Sequence, residues 1–204
     1  IMIEQGLVTP KTPGRLRLEV PAGLVEATYT VTNGKVSGVR IVNIPSYLAR
    51  RNVTVDVPEV GTLTMDVAYG GNFYAIVDPQ EHYKGIDELG AGGILRLSPI
   101  VRRLVNERYT FVHPENPTIK GLSHVEWTGP PRAKGAHARN AVFYGEKAID
   151  RSPCGTGTSA RMAQWAALGK LQVGSEFVHE SIIGSTFRGR VERLAKVGSF
   201  DGIV

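Results

Sequence analysis

The chain has 204 residues, 42% of them hydrophobic, and a net charge of +5; this fits one large or two small globular domains that need no disulfide or metal to hold a core. Its single cysteine excludes an intrachain disulfide and a cysteine-type zinc site, and its five scattered histidines lack metal-ligand spacing. Lys and Arg are dispersed, the densest pairs being Arg50-Arg51 and Arg102-Arg103, with no aromatic-interleaved basic stripe for nucleic acid and no apolar run of the ~18 residues a membrane span needs.

The opening Ile1-Met-Ile-Glu-Gln-Gly6 has the pattern of a last helical turn stopped by glycine. No Met stands first, no basic signal region follows, and the far end "VGSFDGIV" carries no polar tail. The expectation is a piece of a longer, cytoplasmic protein, with a signal peptide ahead of Ile1 left open.

From Arg15 to Asp78 the pattern is β. Arg15–Val20 alternates polar and apolar, as a half-buried strand does. Strands are predicted at 24–31 and 36–42, joined by an Asn33-Gly34 hairpin turn. Further strands are predicted at 53–57, 62–67 and 73–77, the last two parted by Gly70-Gly71-Asn72. The period then changes. Leu97, Ile100, Val101, Leu104 and Val105 form a helical stripe, with Ser98-Pro99 expected as N-cap and first helical residue. Strands return at 123–127 and 139–144. A second helix is predicted over 159–168, apolar almost all round, buried and closed by Gly169. Strands at 176–183 and 186–194, turning at Gly184-Ser185, complete an α+β pattern without regular βαβ alternation.

The one cysteine lies in Asp150-Arg-Ser-Pro-Cys-Gly-Thr-Gly-Thr-Ser-Ala160, ahead of that helix. A free cysteine is often a small buried hydrophobe, but the neighbours here are Gly, Thr, Ser, Asp and Arg. A helix N-terminus offers free amides and a positive dipole end. The amides suit a carboxylate, and the dipole predicts a lowered thiol pKa. Two chemistries fit Cys154. One is acyl transfer with His124, His137 or His179 as base, the work of a hydrolase or acyl transferase. The other is proton transfer at the carbon beside a carboxylate, which without an electron-sink cofactor needs fixed dipoles and excluded water. Asp150 would pair with a substrate ammonium, or with an arginine; residue chemistry alone leaves both open.

"DRSPCGTGTSARMA" closely resembles the second cysteine motif of the proline racemase family, which includes 4-hydroxyproline 2-epimerases and trans-3-hydroxyproline dehydratases. The likeness extends through "TPKTPGRLRLEVPAGLVEA", "VRIVNIPSYL", "MDVAYGGNFYAIVD", "FVHPENP" and "ESIIGSTFRGRV". It implies a diaminopimelate epimerase-like fold, a mixed or antiparallel sheet wrapped around a central buried helix, as one of two pseudo-symmetric halves. It implies residues 1–14 as a connecting segment and 15–204 as the second, cysteine-bearing domain. It implies no cofactor, a small amino acid as substrate, and two cysteines working as thiol and thiolate on opposite faces of the α-carbon. Cys154 matches the second of these. Asp150 matches the carboxylate that holds the ring nitrogen, and Gly155, Thr156 and Gly157 match the cradle for the substrate carboxylate.

The family's first motif, of Cys-Gly-His type, is absent, so the chain alone is expected not to racemise, its missing N-terminal half being the partner; a homodimer is left open. Family proline racemases carry Phe where this chain has Tyr144, which favours 4-hydroxyproline, with proline as alternative. Cys154 stands where pure dehydratases carry Thr, though dehydration of trans-3-hydroxyproline stays open. A non-catalytic module that binds small carboxylates is the remaining reading.

Overall fold

A computed structural model describes all 204 residues, which divide into two compact units, Ile1–Ile44 and Pro45–Val204.

In the first unit a single helical turn ends at Gly6, where Leu7 N–H donates to the Met2 carbonyl at 2.9 Å and Gly6 N–H to Ile3 at 3.1 Å. Three antiparallel strands follow in sheet order, β1 (Arg15–Val20), β2 (Gly23–Thr32) and β3 (Lys35–Val42). Asn33 and Gly34, at φ 52° and 77°, make the predicted hairpin turn between β2 and β3.

The second unit is built on a ten-stranded mixed sheet. Its strands are β4 (Ser46–Val57), β5 (Gly61–Tyr69), β6 (Phe73–Val77), β9 (Leu122–Gly129), β10 (Ala138–Tyr144), β11 (Ala148–Ile149), β12 (Glu176–Ser181), β13 (Thr186–Arg190), β14 (Leu194–Val197) and β15 (Phe200–Ile203). They run in the order β13-β12-β10-β9-β6-β5-β4-β15-β14, with β11 paired to β10; β7 (Val112–His113) and β8 (Asn116–Lys120) form a separate ribbon.

Only two neighbouring pairs are parallel, β6 with β9 and β10 with β12. Each is bridged by a helix, α1 (Ile86–Arg108) and α2 (Gly155–Ala167). The two crossovers run in opposite directions and step the same way along the sheet, so right-handed connections place their helices on opposite faces. Side-chain alternation agrees. Tyr74 and Ile76 of β6 pack with Cys154 and Ala160 at α2, while Trp127 of β9 donates to Ser98 Oγ of α1 at 2.8 Å. Helix α2 touches β13 near one edge of the sheet and β15 near the other, so the sheet curls around it.

Two expectations about the helices change. Helix α1 begins at Ile86, not at Ser98, and bends at Gly90 (φ 63°, ψ 172°). Ser98 and Pro99 lie inside it, and Ser98 is buried as the acceptor for Trp127. Gly90, Gly92 and Gly93 weaken the local signal, and burial of Ile86, Ile94 and Leu97 supplies what propensity lacks. Helix α2 begins at Gly155 rather than Ser159, and it is not apolar throughout, since Arg161 and Gln164 are buried with Ala160, Met162 and Ala163. Its end is as predicted. Lys170 N–H donates to the Trp165 carbonyl at 2.8 Å and Gly169 N–H to Ala166 at 3.0 Å, around Gly169 at φ 72°. No helix is long and apolar enough to cross a membrane.

Candidate active site

Cys154 is the N-cap of α2. Its backbone has φ 60° and ψ 114°, a conformation that is costly for a residue with a side chain. Thr158 N–H makes the first helical bond, to the Cys154 carbonyl at 2.8 Å. The amides of Gly155, Thr156 and Gly157 lie ahead of that bond and have no helical acceptor. The Gly157 amide donates to the Cys154 sulfur. A Cβ at Gly157 would sit 3.3 Å from that sulfur and 3.2 Å from the Cys154 Cβ, so glycine is what lets the thiol settle over the helix end.

From the sheet below, Tyr74 sends its hydroxyl to within 2.5 Å of Thr156 Oγ1 and 3.5 Å of Cys154 Sγ. The Asp150 turn holds the other side. Asp150 Oδ1 accepts the Ser152 amide at 2.8 Å, and Ser152 Oγ accepts the Cys154 amide at 3.1 Å. Three rings line up across the sheet face: Tyr74 lies 4.7 Å from His124, and His124 is stacked 6.4 Å from Tyr144. Asp150 acts electrostatically on both Cys154 and His124.

The thiol is not acidified as the dipole alone predicts. Burial pushes the Cys154 thiol above its ordinary value; the Tyr74 hydroxyl and the Gly157 amide pull it down, and the charges of Glu126 and Asp150 add to the rise. Desolvation of a residue only 8% exposed outweighs two hydrogen bonds. The resting group is therefore a thiol, and the dipole and donors serve to lower the cost of its ionised form. Burial, helped by Arg102, also brings His124 down to about 4 against the pull of Asp150, so that ring is neutral near pH 7.

None of the three candidate histidine bases hydrogen-bonds the sulfur. His124 Nδ1 meets Ser123 Oγ at 2.7 Å, His137 Nδ1 accepts the Val178 amide at 2.8 Å, and His179 Nδ1 meets Thr158 Oγ1 at 3.0 Å. The Cys-His pair that acyl transfer requires is not formed.

Beneath α2 lies a polar layer. Arg161 binds Asp78 through both oxygens at 2.6 and 3.0 Å, and Thr128 Oγ1 donates to Asp78 at 2.6 Å. Burial opposes ionisation of Asp78, but Arg161 and Thr128 outweigh it and hold the carboxyl below its ordinary value. Asp78→Asn is expected to cost about 2 kcal/mol, because Arg161 stays buried without its counter-ion while the partly exposed carboxylate is screened. Thermal unfolding should show the full difference near pH 7. The difference should vanish as acid carries the pH through the depressed carboxyl value, where wild type loses its charge too.

The family model described as proline racemase matches residues 1–204. The chain belongs to the proline racemase family. It is 59% identical over 202 residues to the 4-hydroxyproline 2-epimerase of Ancylobacter novellus, covering 99% of this chain and 61% of that protein. With the 4-hydroxyproline 2-epimerase of Spirosoma linguale it shares 60% identity over 204 residues, again 61% of that protein. Among solved structures, a hydroxyproline epimerase from Agrobacterium vitis with bound trans-4-hydroxy-L-proline aligns at a TM-score of 0.88 and 30% identity, covering 99% of this chain and 59% of that one. A probable proline racemase from Agrobacterium radiobacter K84, with bound carbonate, aligns at 0.88 and 35%, with the same coverage. This proline racemase family chain thus spans about three fifths of the length of these relatives, and its fold is the diaminopimelate epimerase-like one expected.

The structure brings Cys154, Asp150, Gly155, Thr156 and Gly157 into one turn and sets Tyr144 at the end of the ring row, 43% exposed. Tyr74 carries no local signal in the sequence: it lies in strand β6, 80 positions from the cysteine it touches. His124 is legible there only as a candidate base for a nucleophile. A strand's inward-facing tyrosine has the same sequence pattern as any core aromatic, so only the pairing of β6 beneath α2 reveals it.

Proposed function

We propose that this chain supplies one catalytic face of a cofactor-independent 4-hydroxyproline 2-epimerase, with Cys154 as one of two acid/bases at the α-carbon. The observation that carries this is the 59–60% identity, over essentially the whole chain, to proteins named as that enzyme. The turn's geometry supplies the chemistry. The exposed Gly155 and half-buried Thr156 offer amides to the substrate carboxylate, with Gly157 completing the dipole end. Asp150 faces the substrate ammonium and keeps it charged, which acidifies the α-carbon. Tyr144, with His124 behind it, lines the ring, and the Tyr144 hydroxyl is the group to meet a ring hydroxyl. Cys154 takes the α-proton as thiolate or delivers one as thiol. Its low exposure keeps water from the carbanion-like transition state.

Two-base transfer needs a second acid/base on the opposite face, and this chain has one cysteine. That group comes from outside these 204 residues. The test is chiral chromatography with cis- and trans-4-hydroxyproline and with proline, using the full-length enzyme and the 204 residues alone. Full-length enzyme should interconvert the 4-hydroxyproline epimers at least tenfold faster than it racemises proline. The 204 residues should show no turnover. Proline preferred, a dehydrated product from trans-3-hydroxyproline, or turnover by the 204 residues alone overturns the respective part.

A further inference from the structure

Behind the cysteine turn lies a second polar cluster with no role in the chemistry above. The Pro153 carbonyl, one residue before Cys154, is gripped twice. Asn140 Nδ2 donates to it at 2.9 Å from the sheet, and Thr158 Oγ1 at 3.1 Å from the helix. Each grip is backed by a fully buried ionisable group. Asn140 Nδ2 also donates to Glu126 Oε1 at 2.9 Å, and Thr158 Oγ1 meets His179 Nδ1 at 3.0 Å.

The hydrogen inventory points to one tautomer. Thr158 has one hydroxyl hydrogen and uses it on Pro153, so His179 donates from Nδ1. Its Nε2 is then a bare acceptor, and it lies 3.8 Å from Glu126 Oε1. Both Glu126 Oε2 and His179 Nε2 are buried with no protein partner. An ionised carboxylate there would be a buried charge without an adequate counter-ion, against a lone pair. A neutral acid removes that conflict.

We infer that Glu126, held as a neutral acid, is a positioning residue that works through Asn140, and together with His179 and Thr158 clamps the Pro153 carbonyl to present the Cys154 thiol. The clamp maintains the costly positive φ of Cys154, which sharp turns do not hold unaided. Around Glu126 stand Asn140 on β10, His179 on β12, Arg161 on α2, Asp78 beyond β6, and Tyr74 and Cys154. Burial pushes Glu126 up to about 8, against the opposing pull of Asn140 and Arg161, and brings His179 down to about 3. Glu126 thus carries a proton at pH 7, and its ionised form would raise the cost of a Cys154 thiolate. The inference rests on the proposed use of Cys154 as an acid/base, but its test needs no turnover.

Because Cys154 is the only thiol, its alkylation by iodoacetamide across pH reads its ionisation directly in the 204-residue chain. Glu126→Gln keeps the shape and abolishes the charge, so alkylation at pH 9 should run threefold to tenfold faster than in wild type. Glu126→Ala abolishes the charge too but also removes the support of Asn140, so at pH 7, where wild-type Glu126 is neutral, its alkylation rate should differ at least threefold from wild type while Glu126→Gln matches wild type. A Gln variant that matches wild type at every pH, or an Ala variant that does, overturns the inference. If the variants do not fold, carbon-13 NMR of glutamate-labelled wild type decides. One glutamate carboxyl should remain protonated at pH 7; none doing so overturns it. Loss of epimerisation by the full-length enzyme with these outcomes intact would count against the proposed function alone.

Discussion

Replacing Cys154 by Ser is expected to lower epimerisation by the full-length enzyme about a thousandfold or more, and to abolish deuterium uptake at the α-carbon from the Cys154 face. A positioned acid/base contributes roughly 10²–10⁴ in rate. A serine hydroxyl ionises far too weakly to take its place, even with the Gly157 amide and the Tyr74 hydroxyl aimed at it. The fold should survive, since Ser fits the same N-cap and is a favoured residue there. Melting temperature therefore separates loss of chemistry from loss of structure. Burial holds the Cys154 thiol above its ordinary value, so activity of the wild-type enzyme should also climb on the alkaline side of neutrality. Residual activity within tenfold of wild type in Cys154→Ser would remove the cysteine from the mechanism.

Gly70→Ala should be the most damaging single-methyl change in this unit. Gly70 sits in the turn between β5 and β6, pressed against the first turn of α2. A Cβ there would collide with the Thr156 carbonyl and lie 2.6 Å from the Ala160 amide and 3.1 Å from Ser159 Cβ. The first two are backbone atoms of the helix that carries the cysteine, so no rotamer change relieves the clash. Either α2 moves away from the sheet or the turn refolds, at about 3 kcal/mol or more. In a chain of this size that lowers the melting temperature by roughly 6–12 °C. Shifting α2 also pulls Thr156 from Tyr74, so full-length activity should fall even where the variant remains folded. Calorimetry and turnover measured on the same sample check both; an unchanged melting temperature would mean that the turn and helix do not meet as described.

The sequence by itself carried the local structure wherever local chemistry decides it. Asn33-Gly34 marks a hairpin because both residues accept positive φ, and Gly169 ends α2 because it closes the left-handed stop. The strands at Arg15–Val20 and Phe73–Val77 stand where their patterns place them. The "SPCGTG" turn announced a cysteine at a helix start, and its resemblance to a known motif supplied the family. Strands β14 and β15 escaped notice because each has four residues and draws its stability from pairing, β15 with β4 through Gly202 and Tyr47. The start of α1 escaped because its glycines hide a helix that burial sustains.

What only the tertiary structure decided concerns burial. A dipole argument alone gives Cys154 a lowered pKa; enclosure by α2, Tyr74 and the sheet reverses its sign. Arg161, Gln164, Glu126 and His179 look like solvated or catalytic groups in a linear chain. The curled sheet turns them inward, where each must find partners or lose its charge. Local propensity is written in neighbours along the chain. Desolvation depends on what strands 80 positions away bring overhead, and that sum exists only in the folded molecule.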